Sequence, residues 1–210
     1  LWVTGVQTCA LPILEGLDRY ETAVEVGKYF VGGEKKVETV ILCNGNNFAD
    51  ALAVSSAAVT QKLPILLTPA NWLSKATIKV LNNWKVQNVI IIGGETVVSK
   101  EIEKALKSAG ITTIRVFGLN RHETSIEVAK HFFKNINKAV LATGLNFADA
   151  LSGGVFAASK NAPIILSDKD VLVDDLAKYL KDSKNVDQVY ILGGVNSISD
   201  TIKKEIEKLR

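Results

Sequence analysis

Four short motifs occur twice in this chain, in the same order and at nearly constant spacing. Leu17-Asp18-Arg19-Tyr20-Glu21-Thr22 returns as Leu119-Asn120-Arg121-His122-Glu123-Thr124, an offset of 102 residues. Asn47-Phe48-Ala49-Asp50-Ala51-Leu52 returns 99 residues later as Asn146-Phe147-Ala148-Asp149-Ala150-Leu151, and Pro64-Ile65-Leu66-Leu67 returns at the same offset as Pro163-Ile164-Ile165-Leu166. Ile92-Gly93-Gly94 matches Leu192-Gly193-Gly194 at an offset of 100. Self-similarity at a fixed period marks a duplicated structural unit, here of about a hundred residues. The fold must therefore be one that a single pattern can build twice.

Each copy alternates helical and strand periodicity. The pattern predicts helices over 19–31, 48–60, 74–83 and 99–109, and strands over 38–43, 64–67, 88–92 and 112–117. The second copy repeats this from Arg121 and reaches Arg210 inside its last helix. Short apolar strands set between helices imply a mainly parallel sheet covered on both faces. The fold class expected is α/β: two tandem three-layer, Rossmann-like units. Helix starts are marked by capping chemistry. Asp18 with Glu21, Asn120 with Glu123, Asn47 with Asp50, and Asn146 with Asp149 all have the spacing of an N-cap and its N3 carboxylate. Ser74, Ser99 and Ser199 are further N-cap candidates.

Composition narrows the function classes. Lys plus Arg number 25 against 22 Asp plus Glu, a net charge of +3, too mild and too dispersed for a nucleic-acid footprint. No apolar run approaches the roughly 18 residues of a membrane span. The two cysteines, Cys9 and Cys43, form no Cys/His cluster at metal-ligand spacing, and no cofactor motif is present. Cys43 closes a strand pattern and reads as a small buried hydrophobe.

Residues Leu1 to Ile13 have no counterpart elsewhere in the chain and lack the charged start of a signal peptide. The string VTGVQTCALPI resembles translated sequencing-adapter read-through, so 1–13 is expected to be a non-native segment, and Cys9 is discounted with it. The first repeat is then 14–118 and the second 119–210.

With the motifs assembled, the chain resembles the cell wall binding repeat 2 family of Gram-positive surface proteins. The resemblance rests on Gly16, Arg19, Thr22 and Ala23, on Asn47 to Leu52, on Pro64 to Leu67, and on Ile91 to Gly94 with Val98 and Ser99. The second copy supplies Gly118, Arg121 and Thr124, then Asn146 to Leu151, Pro163 to Leu166, and Ile191 to Gly194 with Ile198 and Ser199. It covers the chain from about Leu14 to Arg210. It implies a secreted, wall-associated anchor that holds a protein non-covalently through an anionic, teichoic-acid-like secondary wall polymer. It also implies a longer parent protein with a third repeat and an effector region such as an amidase, protease or adhesin.

Several residues carry competing chemical readings. Arg19 and Arg121 suit bidentate contact with phosphate or carboxylate, yet an internal ion pair with Asp50 or Asp149 is the expected role of each. Gly93-Gly94 and Gly193-Gly194 lie between a strand and a helix, where backbone donors can meet an anion, although no phosphate-loop Lys-Ser/Thr follows them. Asn47, Asp50, Asn146, Asp149, Thr22 and Thr124 are expected to hold helix starts. On that reading Asp50→Asn costs about 0.5–2 kcal/mol of cap energy. No catalytic residue is assigned. The rival reading is a small α/β hydrolase or sugar-phosphate enzyme built around Asp50 or Asp149. Trp72 and Trp84 read as core or local packing, and His122 and His131 as surface residues.

Overall fold

The structure is a computed structural model that describes residues 13–33 and 36–209. The expected non-native segment therefore lies outside the described residues, apart from Ile13. The elements of the first copy are α1 (Arg19–Phe30), β1 (Thr39–Asn44), α2 (Phe48–Thr60), β2 (Ile65–Thr68), α3 (Lys75–Trp84), β3 (Asn88–Ile92), α4 (Lys100–Ser108) and β4 (Thr112–Val116). The second copy comprises α5 (Arg121–Phe132), β5 (Lys138–Thr143), α6 (Ala148–Ser159), β6 (Ile164–Ser167), α7 (Asp174–Asp182), β7 (Gln188–Ile191) and α8 (Asp200–Lys208). In the first copy every boundary falls within one residue of the periodicity reading, the usual uncertainty of a helix or strand end.

All strand pairs are parallel, in the orders β2-β1-β3-β4 and β6-β5-β7. Alternating side chains of each strand serve opposite faces. Val40, Leu42, Val89 and Ile91 meet α1, α3 and α4 through Val24, Trp84 and Ile102. Ile41, Cys43, Ile90 and Ile92 meet the other face, where Val54 and Ala57 of α2 lie. Cys43 is a buried free thiol, as its strand position implied.

That second core does not stop at the repeat boundary. It continues through Ile126, Val128 and Ala129 of α5 to Leu141 and Ile165 of the second sheet, and on to α7 and α8. A third cluster joins Ala49, Leu52 and Ala53 of α2 to Ala150 and Ala157 of α6. Helix α2 thus packs on both α5 and α6, and Ser55 sits so near Gly154 that a Cβ there would meet its hydroxyl at 2.2 Å. The relation is head-to-tail. Val128 on α5 is fully buried, whereas its counterpart Val26 on α1 is 49% exposed.

Candidate functional site

The repeated motifs converge at the carboxyl ends of the strands, the edge where open parallel α/β sheets place their ligands. The Gly-x-x-Arg-x-x-Thr block is a self-contained helix start. Asp18 Oδ1 accepts the N–H of Tyr20 and of Glu21, both at 2.8 Å, and Asn120 Oδ1 does the same for His122 and Glu123. Glu21 and Glu123 reach back one residue beyond the cap, accepting from Leu17 and Leu119 at 2.8 Å. The Thr22 and Thr124 hydroxyls accept from Gly16 and Gly118 at 3.2 and 3.0 Å. These glycines are required by proximity, because a Cβ would lie 2.2 Å from Glu21 Cβ or 2.3 Å from Glu123 Cβ.

The arginines do something other than pair with the aspartates of their own copy. Arg19 donates from Nη1 to the Gly45 carbonyl at 2.7 Å and to Asn46 at 3.2 Å, and Arg121 donates from Nη1 to the Gly144 carbonyl. Each pins a helix start to the turn after the first strand of its copy. The ion pairs expected with Asp50 and Asp149 do not form among the described residues. Gly45 and Gly144 are themselves a repeated pair, 99 residues apart, that the four-motif comparison passed over. A Cβ at Gly45 would sit 2.7 Å from the Tyr20 ring, and one at Gly144 would sit 2.9 Å from His122 Nε2. His122 is half-buried rather than a surface residue, and burial lowers its pKa.

Asn47 caps α2 through Ala49 N–H at 3.2 Å, and Asn146 bonds Ala148 N–H at 2.8 Å from one position before the cap, which is Phe147. Ser74 caps α3, but Ser99 and Ser199 occupy cap positions without making the cap bond. The two aspartates turn toward the glycine pairs. Asp149 Oδ2 accepts the Ser197 hydroxyl at 2.8 Å and lies 2.6 Å from where a Gly193 Cβ would be. Asp50 Oδ2 lies at the same 2.6 Å from the Gly93 position, but the residue matching Ser197 is Val97, and Asp50 Oδ2 has no hydrogen-bond partner among the described residues. At 4% exposure, burial raises the Asp50 pKa from 3.8 to about 6, while Arg121 of the other copy pulls it down. Gly93 and Gly193 have φ of 109° and 96°, a backbone region that side chains rarely adopt.

The first glycine turn is further occupied from within. Arg115 Nη1 donates to the carbonyls of Gly93 and Val98 at 2.9 and 2.8 Å, while Nε and Nη2 engage Glu103 at 3.0 and 2.9 Å. Nothing in the motif comparison marked Arg115, since it pairs with residues 12 to 22 positions away. Helix α4 also carries Glu101 and Glu103 in its first turn, so its positive end is already met by carboxylates.

Between the copies lies a seam that neither repeat contains alone. The Phe48 and Phe147 rings stand 6.0 Å apart, edge to face, and the Arg121 guanidinium lies 5.7 Å from the Phe48 centroid. Phe48 is 40% exposed and Phe147 55%, so both rings and the arginine reach solvent together. Trp72 is also exposed, contrary to a packing role, whereas Trp84 is fully buried in the core.

Residues 13–103 and 115–203 both match the sequence pattern of Cell wall binding domain 2 (CWB2). The chain belongs to this family. Curated relatives agree: the Amidase enhancer of Bacillus subtilis is 36% identical over 207 residues, covering 98% of this chain and 27% of that protein. The N-acetylmuramoyl-L-alanine amidase LytC of the same organism is 32% identical over 191 residues, 91% of this chain and 38% of the amidase. Among solved structures, Cwp6 from Clostridium difficile superposes with a TM-score of 0.84 at 32% identity, covering 93% of this chain and 31% of Cwp6. Cwp8 from Clostridium difficile gives 0.79 at 31% identity, covering 93% of this chain and 33% of Cwp8. The tandem CWB2 chain thus spans between about a quarter and two-fifths of the length of these proteins, and its α/β architecture is theirs. It is a cell-wall-binding module. The comparisons lend nothing to the hydrolase alternative.

Proposed function

We propose that the chain works outside the cell as a non-covalent wall anchor, and that its ligand is an anionic secondary wall polymer of the teichoic-acid kind. The observation that carries this reading is the seam of Arg121, Phe48 and Phe147. Exposed aromatic faces suit sugar rings, and a guanidinium that among the described residues has only Nη1 engaged, by the Gly144 carbonyl, keeps further donors for an acidic group. Arg19 offers the same chemistry in the first copy. The Gly193-Gly194 turn has Asp149 Oδ2 beside it and Asp200 in the first turn of the helix that follows, so it is already met by carboxylates and contributes chiefly as scaffold. Gly93-Gly94, occupied by Arg115 and flanked by Glu101, contributes chiefly as scaffold. The parent protein carries a further repeat and an effector region, of which an amidase is one example.

Sedimentation with purified Gram-positive walls across a salt series tests this, with walls stripped of anionic polymer as control. Binding should weaken as salt rises, since exposed charges beyond about 8 Å are screened at physiological strength. Phe147→Ala should lower binding severalfold with little change in melting temperature. Equal sedimentation with stripped walls would refute the polymer assignment.

A further inference from the structure

A buried carboxylate stands behind the seam between the copies. Asp50 lies in the first turn of α2, two residues after Phe48, and its Oδ2 has no hydrogen-bond partner among the described residues. Its counterpart Asp149 receives the Ser197 hydroxyl at 2.8 Å, where the first copy has Val97. The charge that acts on Asp50 comes instead from Arg121 of the other copy. That same guanidinium lies 5.7 Å from the Phe48 centroid and reaches solvent. One arginine therefore serves a carboxylate on the inside and the open seam on the outside.

The surroundings of Asp50 add few other groups that change charge. Helix α2 packs on α5, α6, β1, β2, β3 and β6, and the last three strands carry no titratable side chain. Strand β1 brings Cys43, whose thiol pKa is pushed up by burial and then by Asp50, so it stays uncharged. Helix α6 brings Asp149, bonded to Ser197. Across the Gly93 turn, Arg115 is held by Glu103, and Arg19 is bound to the Gly45 carbonyl. The start of α5 brings Arg121, Glu123 and His122. Burial lowers the His122 pKa, Asp168 raises it, Arg121 lowers it and Glu123 raises it. Asp50 and His122 are thus the groups of this cluster that titrate in the weakly acid range.

We propose that Asp50 regulates the polymer site at the seam: neutral, it leaves the whole charge of Arg121 to an acidic group of the polymer, and ionised, it competes for that charge. The inference rests on the reading of the seam as that site. Burial lifts the Asp50 pKa to about 6, and Arg121 pulls it down. An anion seated on Arg121 cancels part of that pull and repels the carboxylate, so Asp50 holds its proton to higher pH when the site is filled. Binding therefore takes up a proton. By reciprocity, affinity is full where Asp50 is protonated and falls as pH rises past about 6. Coulomb coupling between partly buried charges is large enough for a change of about threefold or more.

Two measurements on the full chain at fixed ionic strength test this. The first needs no ligand: the Asp50 carboxyl carbon is titrated by NMR, and Arg121→Gln should move its midpoint upward. An unmoved midpoint overturns the coupling. The second is sedimentation with purified Gram-positive walls from pH 5 to 8. Wild type should bind about threefold more weakly at pH 8 than at pH 5. Asp50→Asn on the same walls should lose that difference, which separates Asp50 from any titration of the wall. Val97→Ser, which offers the ionised carboxylate a donor, should move the fall to lower pH. His122→Tyr, the residue of the first copy, should keep it. Parallel profiles for wild type and Asp50→Asn, or loss of the fall in His122→Tyr, overturn the role of Asp50 and leave the polymer reading standing. Wall binding indifferent to Arg121→Gln at every pH, with the NMR midpoint still moved, removes the seam from the polymer reading and this regulation with it.

Discussion

Replacing Asp50 by Asn should stabilise the protein at neutral pH, the opposite of what a capping role implies. The carboxylate is 4% exposed, lies against the Gly93 turn and has an oxygen without a donor among the described residues. Its pKa rises from 3.8 to about 6, chiefly through burial. Two units at 1.36 kcal/mol each amount to about 3 kcal/mol of preference for the neutral form in the folded state. Because the folded pKa lies above the unfolded one, the native state holds the proton more tightly. This group's contribution to stability therefore falls as pH rises from about 4 to 6, and its full cost is present above that window. Asn removes the charge at nearly constant volume. Urea denaturation of wild type and Asp50→Asn at a series of pH values isolates the effect, because the carboxylates shifted the other way, Glu101 and Glu103, are common to both. The variant should be more stable by about 1–3 kcal/mol at pH 8 and nearly equal near pH 4. A loss of about 0.5–2 kcal/mol at pH 8, as a weakened cap would give, refutes the argument and restores the carboxylate's charge as a stabilising feature.

Val97→Ser installs the donor that Ser197 gives Asp149, and should raise stability at pH 8 by about 1 kcal/mol, a charged hydrogen bond offset by lost packing. It should also flatten the pH dependence between 4 and 6 in the same denaturation series. Val128→Asp should cost at least about 3 kcal/mol by placing a charge in the shared core, while Val26→Asp at its half-exposed counterpart should cost under about 1 kcal/mol. Equal losses from thermal melts of the two would show that α2 does not cover α5. Gly118→Ala forces a Cβ to 2.3 Å from Glu123 Cβ and should cost about 1–3 kcal/mol, read as a lowered melting temperature.

How much of this was legible follows from the range of each interaction. Helix starts such as Asp18 with Glu21 are written within four residues, so periodicity and capping rules found them. The repeat itself was legible because two copies print the same local chemistry twice. Asp50 and Asp149 show where that logic stops. Their hexapeptides are identical, yet one carboxylate has a hydroxyl donor and the other a valine, a difference placed 48 residues downstream of Asp149 and 47 of Asp50. The arginine partners were misassigned for a similar reason. Arg19 and Arg121 reach backbone carbonyls, which no side-chain pattern displays, and the charge acting on Asp50 comes from the other copy. Gly45 and Gly144 escaped notice because a single glycine carries little signal until the ring packed against it is seen. Trp72 was assigned to packing because the second copy lacks it, but a side chain absent from one copy can as well be displayed as buried.

The core that runs from the first sheet through α2 and α5 to the second has a mechanical corollary. Only the stretch from Phe117 to Asn120 joins β4 to α5, and the apolar contacts on either side leave no slack between the copies. A pull transmitted along the chain cannot first stretch a tether and then peel off one copy, because separating α2 from α5 opens both interiors to water at once. Thermal or mechanical unfolding should pass through one transition rather than two. A load hung from such a part is released by opening the whole module at once, with little creep between.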